Sequence, residues 1–168
     1  PHADRAANRT GTQSMTDDDL MATCIADEAA NQPYEGKVAV GRVIRNRMAL
    51  GYESDGTLAG TVLKRFQFSG FWFAMRAGHY TETEFDATGA AAQARTLFNE
   101  FSTQPIWADC HRAVADSAPG SGFAGGPRFQ KLSPRTVLYF NPVLCAAPDW
   151  ATPDKLDAVI FQHSFYHA

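Results

Sequence analysis

The chain has 168 residues, the length of one domain, and a chain of this size buries roughly two-thirds of its unfolded surface on folding. Apolar residues make up 45% of it and charged residues 20%, with no apolar run near the ~20 residues that a membrane-spanning helix needs. We expect a soluble, globular monomer. Fifteen basic and eighteen acidic residues give a net charge of -3, and the basic residues are scattered, so nucleic acid is not expected as a partner.

Residues 1–15 are polar and are expected to form a flexible N-terminal leader ahead of a single domain at 16–168. The leader lacks the apolar stretch of a signal peptide, so either such a segment has been removed or none existed.

Cys24, Cys110 and Cys145 show no paired metal-ligand spacing, which indicates neither a disulfide framework nor a zinc ribbon. A single Cys110–Cys145 bridge remains open beside the reading as buried, reduced thiols.

Thr16, followed by three aspartates, predicts the start of a helix at about 17–31, because threonine caps free amides and acids favour the positive end of the helix dipole. Pro33 and Gly51 have the residue types that begin and end helices, and they bracket a second helix at about 33–49. Four of its apolar residues recur at helical spacing and predict a core helix: Val40, Val43, Ile44 and Met48.

Between residues 57 and 127 the composition predicts the type of secondary structure only approximately. We predict a short helix at 57–65, an aromatic segment at 66–73, an alanine-rich helix at 87–101, an ambiguous segment at 104–118 and a flexible surface loop at 119–127. Residues 136–140 are β-branched and aromatic between prolines and predict a strand, with 158–166 as its partner strand. The order predicts an α+β domain, mostly helical, with a small antiparallel sheet in the C-terminal part.

Glu28 is the titratable residue of most interest, because it continues the apolar stripe formed by Met21, Cys24 and Ile25 on the first helix. Burial raises the pKa of a carboxyl group, which a general acid near neutral pH requires. The alternative is that Glu28 ends the stripe and pairs with an arginine such as Arg42 or Arg45. Its neighbour Asp27 is rotated by about 100° and is expected to be solvated or paired.

The stretch from Ile25 to Arg47, which includes Asp27-Glu28-Ala29 and Pro33-Tyr34-Glu35-Gly36, resembles the signature of the SleB-type cell wall hydrolases. Three further landmarks of that family follow in order. They are Gln67-Phe68-Ser69, Tyr139-Phe140-Asn141-Pro142, and His163 with Phe165-Tyr166. Together the matches span about residues 18–166, although 75–135 matches only loosely.

The resemblance implies a lysozyme-like fold, peptidoglycan as substrate, and no metal or cofactor. It also implies that Glu28 acts first as acid and then as base of a lytic transglycosylase, which cleaves between N-acetylmuramic acid and N-acetylglucosamine and forms a 1,6-anhydro product. Such an enzyme acts on the cell wall, in the periplasm or outside the cell, and is either exported or phage-encoded and released at lysis. Hydrolysis of the same bond by water, as in a muramidase, is the nearest alternative.

The resemblance also implies a set of substrate-binding residues, namely Gln67, Phe68, Ser69, Trp72, Tyr139, Asn141 and His163. Each has a structural alternative: turn hydrogen bonds, core packing of the aromatic rings or bracing of the sheet. The chain departs from the family pattern at Asp27 and Ala30, where glycine and arginine are usual, and at Gln162, which replaces a glycine. The absence of that arginine removes a contact to the carboxylate or the substrate, on which saccharide preference and rate depend.

Other function classes remain possible. Glu35 is a rival acid, but it lies in the first turn of the second helix, where an acid also favours the helix dipole. A cysteine peptidase would need an activated thiolate, and mid-helix Cys24 is poorly placed for that role. A zinc amidase would draw on residues without HExxH-type spacing: His79, Asp109, His111, His163 and His167. A non-catalytic module that binds peptidoglycan would use Glu28 only structurally.

Overall fold

A computed structural model of the chain describes residues 14–76, 79–82 and 87–168. Most of the predicted leader, residues 1–13, lies outside the described residues. The helices are α1 (Asp17–Ala29), α2 (Tyr34–Leu50), α3 (Leu58–Val62), α4 (Ser69–Trp72), α5 (Ala87–Phe101) and α6 (Ile106–Asp116). The strands are β1 (Phe73–Arg76), β2 (His79–Glu82), β3 (Thr136–Phe140), β4 (Leu156–Ile160) and β5 (His163–His167). The predicted α+β class is confirmed.

Helix α1 is the centre of the core. Thr16 caps it as predicted, accepting from the backbone N–H of Asp19 while the Asp19 carboxylate accepts from the backbone N–H of Thr16. Helices α2, α5 and α6 pack around it. Its buried residues are Leu20, Met21, Ala22, Thr23, Cys24, Ile25, Ala26 and Ala29. A helix buried on most of its faces has no fully solvated side, so burial extends well beyond the predicted stripe.

Helix α2 confirms its predicted start and end. It begins after Pro33 and ends at Gly51, whose φ of 65° is the left-handed conformation that glycine adopts without strain. Val40, Val43 and Ile44 are fully buried. A Cβ on Gly41 would lie 2.8 Å from the Cβ of Ser117, so the absence of a side chain at position 41 lets α2 and the end of α6 approach closely.

The structure corrects several predicted boundaries. Helix α3 is shorter than 57–65, and the ambiguous segment 104–118 contains helix α6. The antiparallel hairpin of β1 and β2 was not predicted at all. Residues 158–166 are not one strand: β4 and β5 are separate strands, joined by a two-residue turn at Phe161 and Gln162. The sheet order is β3-β5-β4, so β5 is central and pairs antiparallel with both neighbours.

Two side chains at the end of α2 attach the sheet to the helices. The Asn46 side-chain amide donates to the carbonyl oxygens of Ser133, at 2.9 Å, and Thr136, at 2.8 Å. Arg47 Nε donates to the carbonyl oxygen of Val137 at 2.6 Å. These bonds satisfy carbonyl groups in and just before β3, and they fix the strand beside α2.

The three cysteines are unbridged. Cys24 and Cys110 are buried and Cys145 is exposed, so the possible Cys110–Cys145 bridge is absent. Cys145 Sγ instead donates to the carbonyl oxygen of Asn141 at 3.4 Å. Among the helices of the described ranges, none has the length and apolar character needed to cross a bilayer.

Replacement of Asn46 by alanine is expected to destabilise the protein by about 1–3 kcal/mol, because two buried carbonyl groups lose their donor. The free energy of unfolding in urea measures the effect. Asn99→Ala on the exposed side of α5 is the matched control and is expected to change stability by less than about 0.5 kcal/mol. Equal stability of the two variants would contradict an anchoring role for Asn46.

Candidate active site

The site lies where the last turn of α1 meets β3. The Tyr139 hydroxyl donates to Glu28 Oε2 at 3.0 Å. Oε1 of Glu28 is buried, and in the described part of the chain it has no hydrogen-bond partner. Neither Arg42 nor Arg45 pairs with Glu28, because the Arg42 guanidinium lies over the Phe129 ring and Arg45 donates to Ser117 and Val114. The alternative of a simple ion pair with either arginine is therefore wrong.

The Glu28 carboxyl group is held largely protonated up to neutral pH. Burial, and secondarily the charge of Asp27, raises the pKa of Glu28 from its ordinary value of 4.5 to about 7. The Tyr139 hydrogen bond, the backbone N–H of Ser69 and the charge of Arg47 act in the opposite direction. The Ser69 amide favours the ionised form although it lies outside hydrogen-bond geometry. The carboxyl group can thus give up a proton near pH 7 and leave a stabilised carboxylate.

Asp27 belongs to the site; of its two predicted environments, solvated or paired, full solvation is absent and its carboxyl group is bonded by a backbone amide. It is half-buried, and a side chain at position 70 would overlap its carboxyl group, so the carboxyl group lies directly against the Gly70 backbone. Burial raises the pKa of Asp27 to about 6, the Gly70 amide lowers it, and the charge of Glu100 raises it further. Periodicity did not indicate this place in the site, because it does not show which elements surround α1.

The Gln67–Gly70 segment covers the end of α1. Its Ser69 and Gly70 amides act on the carboxyl groups of Glu28 and Asp27. The Gln67 side-chain oxygen accepts from Arg47 Nη1 at 3.0 Å. The same arginine also bonds to β3 and lies over the Phe68 ring at 5.1 Å. Arg47 therefore links both elements that contact Glu28, a role that its position in the family-like stretch did not reveal.

His163 packs beside Tyr139, with the two ring centroids 5.2 Å apart in an edge-to-face arrangement. It is only 4% exposed, and its Nδ1 is buried without a hydrogen-bond partner among the described residues. Burial lowers the pKa of His163 to about 4, so the ring is neutral at pH 7. This geometry holds the Tyr139 ring in place and does not make His163 a proton carrier at neutral pH.

The aromatic side chains of residues 66–72 differ in how much of the ring is exposed to solvent. Phe68 and Trp72 are 1% and 4% exposed, which leaves little ring surface for a ligand. Phe66 is 57% exposed and packs at 6.4 Å from Trp72. It lines a cavity of about 290 Å³ together with Gln67, Tyr139 and Trp150. Sequence reasoning missed Trp150, because it belongs to none of the family landmarks.

The remaining candidates have local structural partners. Asn141 Oδ1 accepts from the backbone N–H of Val143 at 2.9 Å and so shapes the turn after β3. Ser69 is exposed beside the carboxyl pair. Glu35 Oε1 accepts from the Gly126 N–H at 3.1 Å and ties α2 to the loop at 119–127. Cys24 is fully buried, and burial raises the pKa of its thiol well above the ordinary range, which opposes a nucleophilic role.

The histidines considered for a zinc site are separated. His111 contacts Asp19 at 3.1 Å, His167 contacts Asp157 at 2.9 Å, and His163 packs on Tyr139. The His79 side chain lies outside the described residues. Within the described ranges, no three His, Cys, Asp or Glu residues come together as a metal site.

Glu28→Gln is expected to stabilise the protein increasingly as pH rises. The pKa of Glu28 is higher in the folded state than in the unfolded state. Between about pH 4.5 and 7 the carboxyl group ionises in the unfolded chain but stays protonated in the folded one, so the free energy of unfolding falls as pH rises through this range. Glutamine cannot ionise. The stability difference between variant and parent should therefore grow by about 1–3 kcal/mol from about pH 4 to pH 8 in urea unfolding. A pH-independent difference would show that the carboxyl group is not held in this way.

No protein-family model and no curated protein sequence matches the chain. Two solved structures do. The catalytic domain of the germination-specific lytic transglycosylase SleB from Bacillus anthracis has a TM-score of 0.58 at 22% identity, covering 93% of this chain and 98% of that domain. The catalytic domain of SleB from Bacillus cereus has a TM-score of 0.56 at 23% identity, covering 91% of each chain. The chain therefore has the lysozyme-like fold of the SleB catalytic domains.

Proposed function

We propose that this protein cleaves the glycan strands of peptidoglycan between N-acetylmuramic acid and N-acetylglucosamine, as a lytic transglycosylase in which Glu28 is the acid and base. The observation that carries the proposal is the Glu28 carboxyl group, with its pKa raised to about 7, one oxygen bonded to Tyr139 and the other without a protein partner in the described part of the chain. The fold shared with a domain described as that of a lytic transglycosylase supports the same reaction class.

In this mechanism the protonated Oε1 donates its proton to the glycosidic oxygen as the bond to the muramic C1 breaks, and the bonding electrons leave with that oxygen. Glu28 is then a carboxylate, which the Tyr139 hydroxyl and the Arg47 charge stabilise. The carboxylate accepts the proton of the muramic 6-hydroxyl while that oxygen bonds to C1. The 1,6-anhydro ring closes, Glu28 is reprotonated and no water is consumed.

Hydrolysis is the second candidate, and one residue favours it. An inverting hydrolase uses a second carboxylate, several ångströms from the acid, to activate water. Glu53 lines the cavity that Tyr139 and Gln67 also line. However, Glu53 forms an exposed ion pair with Lys64 at 2.7 Å, which holds it at the surface. The structure therefore supports Glu28 as the acid more strongly than it supports a two-carboxylate mechanism.

The biological setting that we propose follows from the substrate. The protein acts on the cell wall, in the periplasm or outside the cell, as a phage endolysin or as a bacterial wall hydrolase. It acts as a monomer, and its partner is peptidoglycan.

Glu28→Gln is expected to lower the release of fragments from purified cell walls by roughly 10²–10⁴-fold, since it keeps the shape of the side chain and removes only the acid. Glu53→Gln is the matched control and should retain most activity. Mass spectrometry of the wild-type products should show anhydromuropeptides. Reducing-end muramic acid together with an inactive Glu53→Gln variant would instead indicate hydrolysis. Free stem peptides, or activity retained by Glu28→Gln, would overturn the proposal.

Asp27→Asn is expected to shift the alkaline limb of the pH–rate profile to lower pH. The Asp27 charge raises the pKa of Glu28, so its removal lets Glu28 ionise earlier and lose its acid form. The other groups that face this pair are Tyr139, the Ser69 and Gly70 amides, Arg47 and Glu100, and the substitution leaves them in place. The measurement is kcat/KM against pH. An unchanged alkaline limb would show that Asp27 does not act on the catalytic group.

A further inference from the structure

The turn between β4 and β5 holds an aromatic residue in a conformation that favours glycine. Ile160 pairs with His163, so the turn consists of Phe161 and Gln162 alone. Phe161 has a φ of 51°, and its side chain is 57% exposed. A bulky residue in the left-handed region stores backbone strain, and an exposed ring recovers little of that cost by burial. Packing within the fold therefore does not explain the presence of this ring.

The turn is anchored beside the active site. The backbone N–H of Gln162 donates to Gln32 Oε1 at 3.3 Å, and Gln32 Nε2 donates to Gln162 Oε1 at 3.2 Å. Gln32 is only 3% exposed, so this reciprocal pair is largely shielded from water. Gln32 lies in the turn that follows α1, three residues after its last residue, and its backbone N–H donates to the carbonyl oxygen of Ala29 at 3.0 Å. The hydrogen bonds between Gln32 and Gln162 therefore hold the turn that carries Phe161 close to the end of α1.

Phe161 forms one wall of a cavity of about 420 Å³. The other main lining residues are Pro33, Glu35, Pro127, Arg128 and Ile160. The cavity combines apolar walls with one negative and one positive side chain, a common composition for sites that bind small ligands.

The two charges at this cavity do not neutralise each other. Glu35 Oε1 accepts from the Gly126 N–H, and Oε2 has no hydrogen-bond partner among the described residues. Arg128 is exposed and forms no ion pair within the described ranges. A carboxylate held by a backbone amide and an exposed guanidinium that does not pair with it together complement a ligand with both an ammonium and a carboxylate group.

We propose that this cavity binds the stem peptide of peptidoglycan, with a peptide ammonium group at Glu35, a peptide carboxylate at Arg128 and an aliphatic side chain against Phe161. The inference rests on the proposed function and deepens it. The charges decide between the two parts of the substrate, because glycan without its stems carries only the lactyl carboxylates of N-acetylmuramic acid and no ammonium group, whereas stem peptides carry both ammonium and carboxylate groups. The cavity makes the enzyme favour glycan that still bears its stems.

The test measures binding in the Glu28→Gln background, so that the ligands are not cleaved. Calorimetry compares glycan fragments of equal length with intact stems and with stems removed. Adding Phe161→Gly or Glu35→Gln should weaken binding of the stem-bearing fragment by about tenfold and leave binding of the bare fragment unchanged. Glu35→Gln keeps the acceptor for Gly126, and Phe161→Gly suits the turn, so neither variant should melt below its parent.

Leu144→Ala, which truncates another exposed apolar side chain, is the control and should leave both affinities unchanged. An equal loss of binding for both fragments would assign the cavity to sugar, and no loss for either would show that it binds neither; both results overturn the proposal. Failure of the proposed function is seen separately, as wild-type protein that releases no glycan fragments from walls. Stem-dependent binding that requires Phe161 and Glu35 would still support the cavity assignment in that case.

Discussion

The hydrogen bond from Tyr139 to Glu28 is the contact on which the site depends, because it joins the central helix to the C-terminal sheet. A carboxyl group buried without partners would remain neutral and could not complete an acid–base cycle. A buried carboxyl group that accepts hydrogen bonds from several donors would instead remain ionised. Glu28 lies between these limits: burial and Asp27 favour the protonated form, while Tyr139 and Arg47 favour the ionised form. This balance places the pKa of Glu28 at about 7.

The fold maintains that balance through the end of α2. Asn46 and Arg47 hold β3 in position, and Arg47 also bonds to Gln67, whose segment covers the carboxyl pair. His163, on the central strand β5, packs edge-to-face against the Tyr139 ring and restrains it. The neighbouring residues in α2 thus position both elements that contact Glu28, and the described part of the site is built largely from bonds between side chains and backbone.

The sequence predicted the features that depend on local chemistry. The cap at Thr16, the left-handed Gly51 and the strand at 136–140 follow from capping, glycine geometry and β propensity, and the structure confirms all three. The strand at 158–166 was predicted as continuous because Phe161 gives no turn signal: the turn uses an aromatic residue where glycine is usual. Local sequence patterns do not predict a turn in which an aromatic residue adopts the left-handed backbone conformation.

Other features depend on long-range packing, which periodicity does not report. The contact of Asp27 with the Gly70 backbone could not be predicted, because helical spacing does not show that other elements surround α1. Phe68 and Trp72 are expected from the resemblance to contact substrate, whereas packing buries their rings, and Trp150, which belongs to none of the landmarks, lines the cavity. Family resemblance identified Glu28 and Tyr139 as important, and the structure shows the contact between them.

The central claim is that the native fold holds Glu28 as a neutral acid near pH 7, and a direct titration tests it. The carbon-13 chemical shift of the Glu28 carboxyl group, assigned by comparison with Glu28→Gln, reports its ionisation as pH changes. The account predicts a midpoint near 7, well above the ordinary 4.5, with a coupled step from Asp27 near 6. A midpoint at the ordinary value would contradict the account, because the group would then be ionised before it could donate a proton.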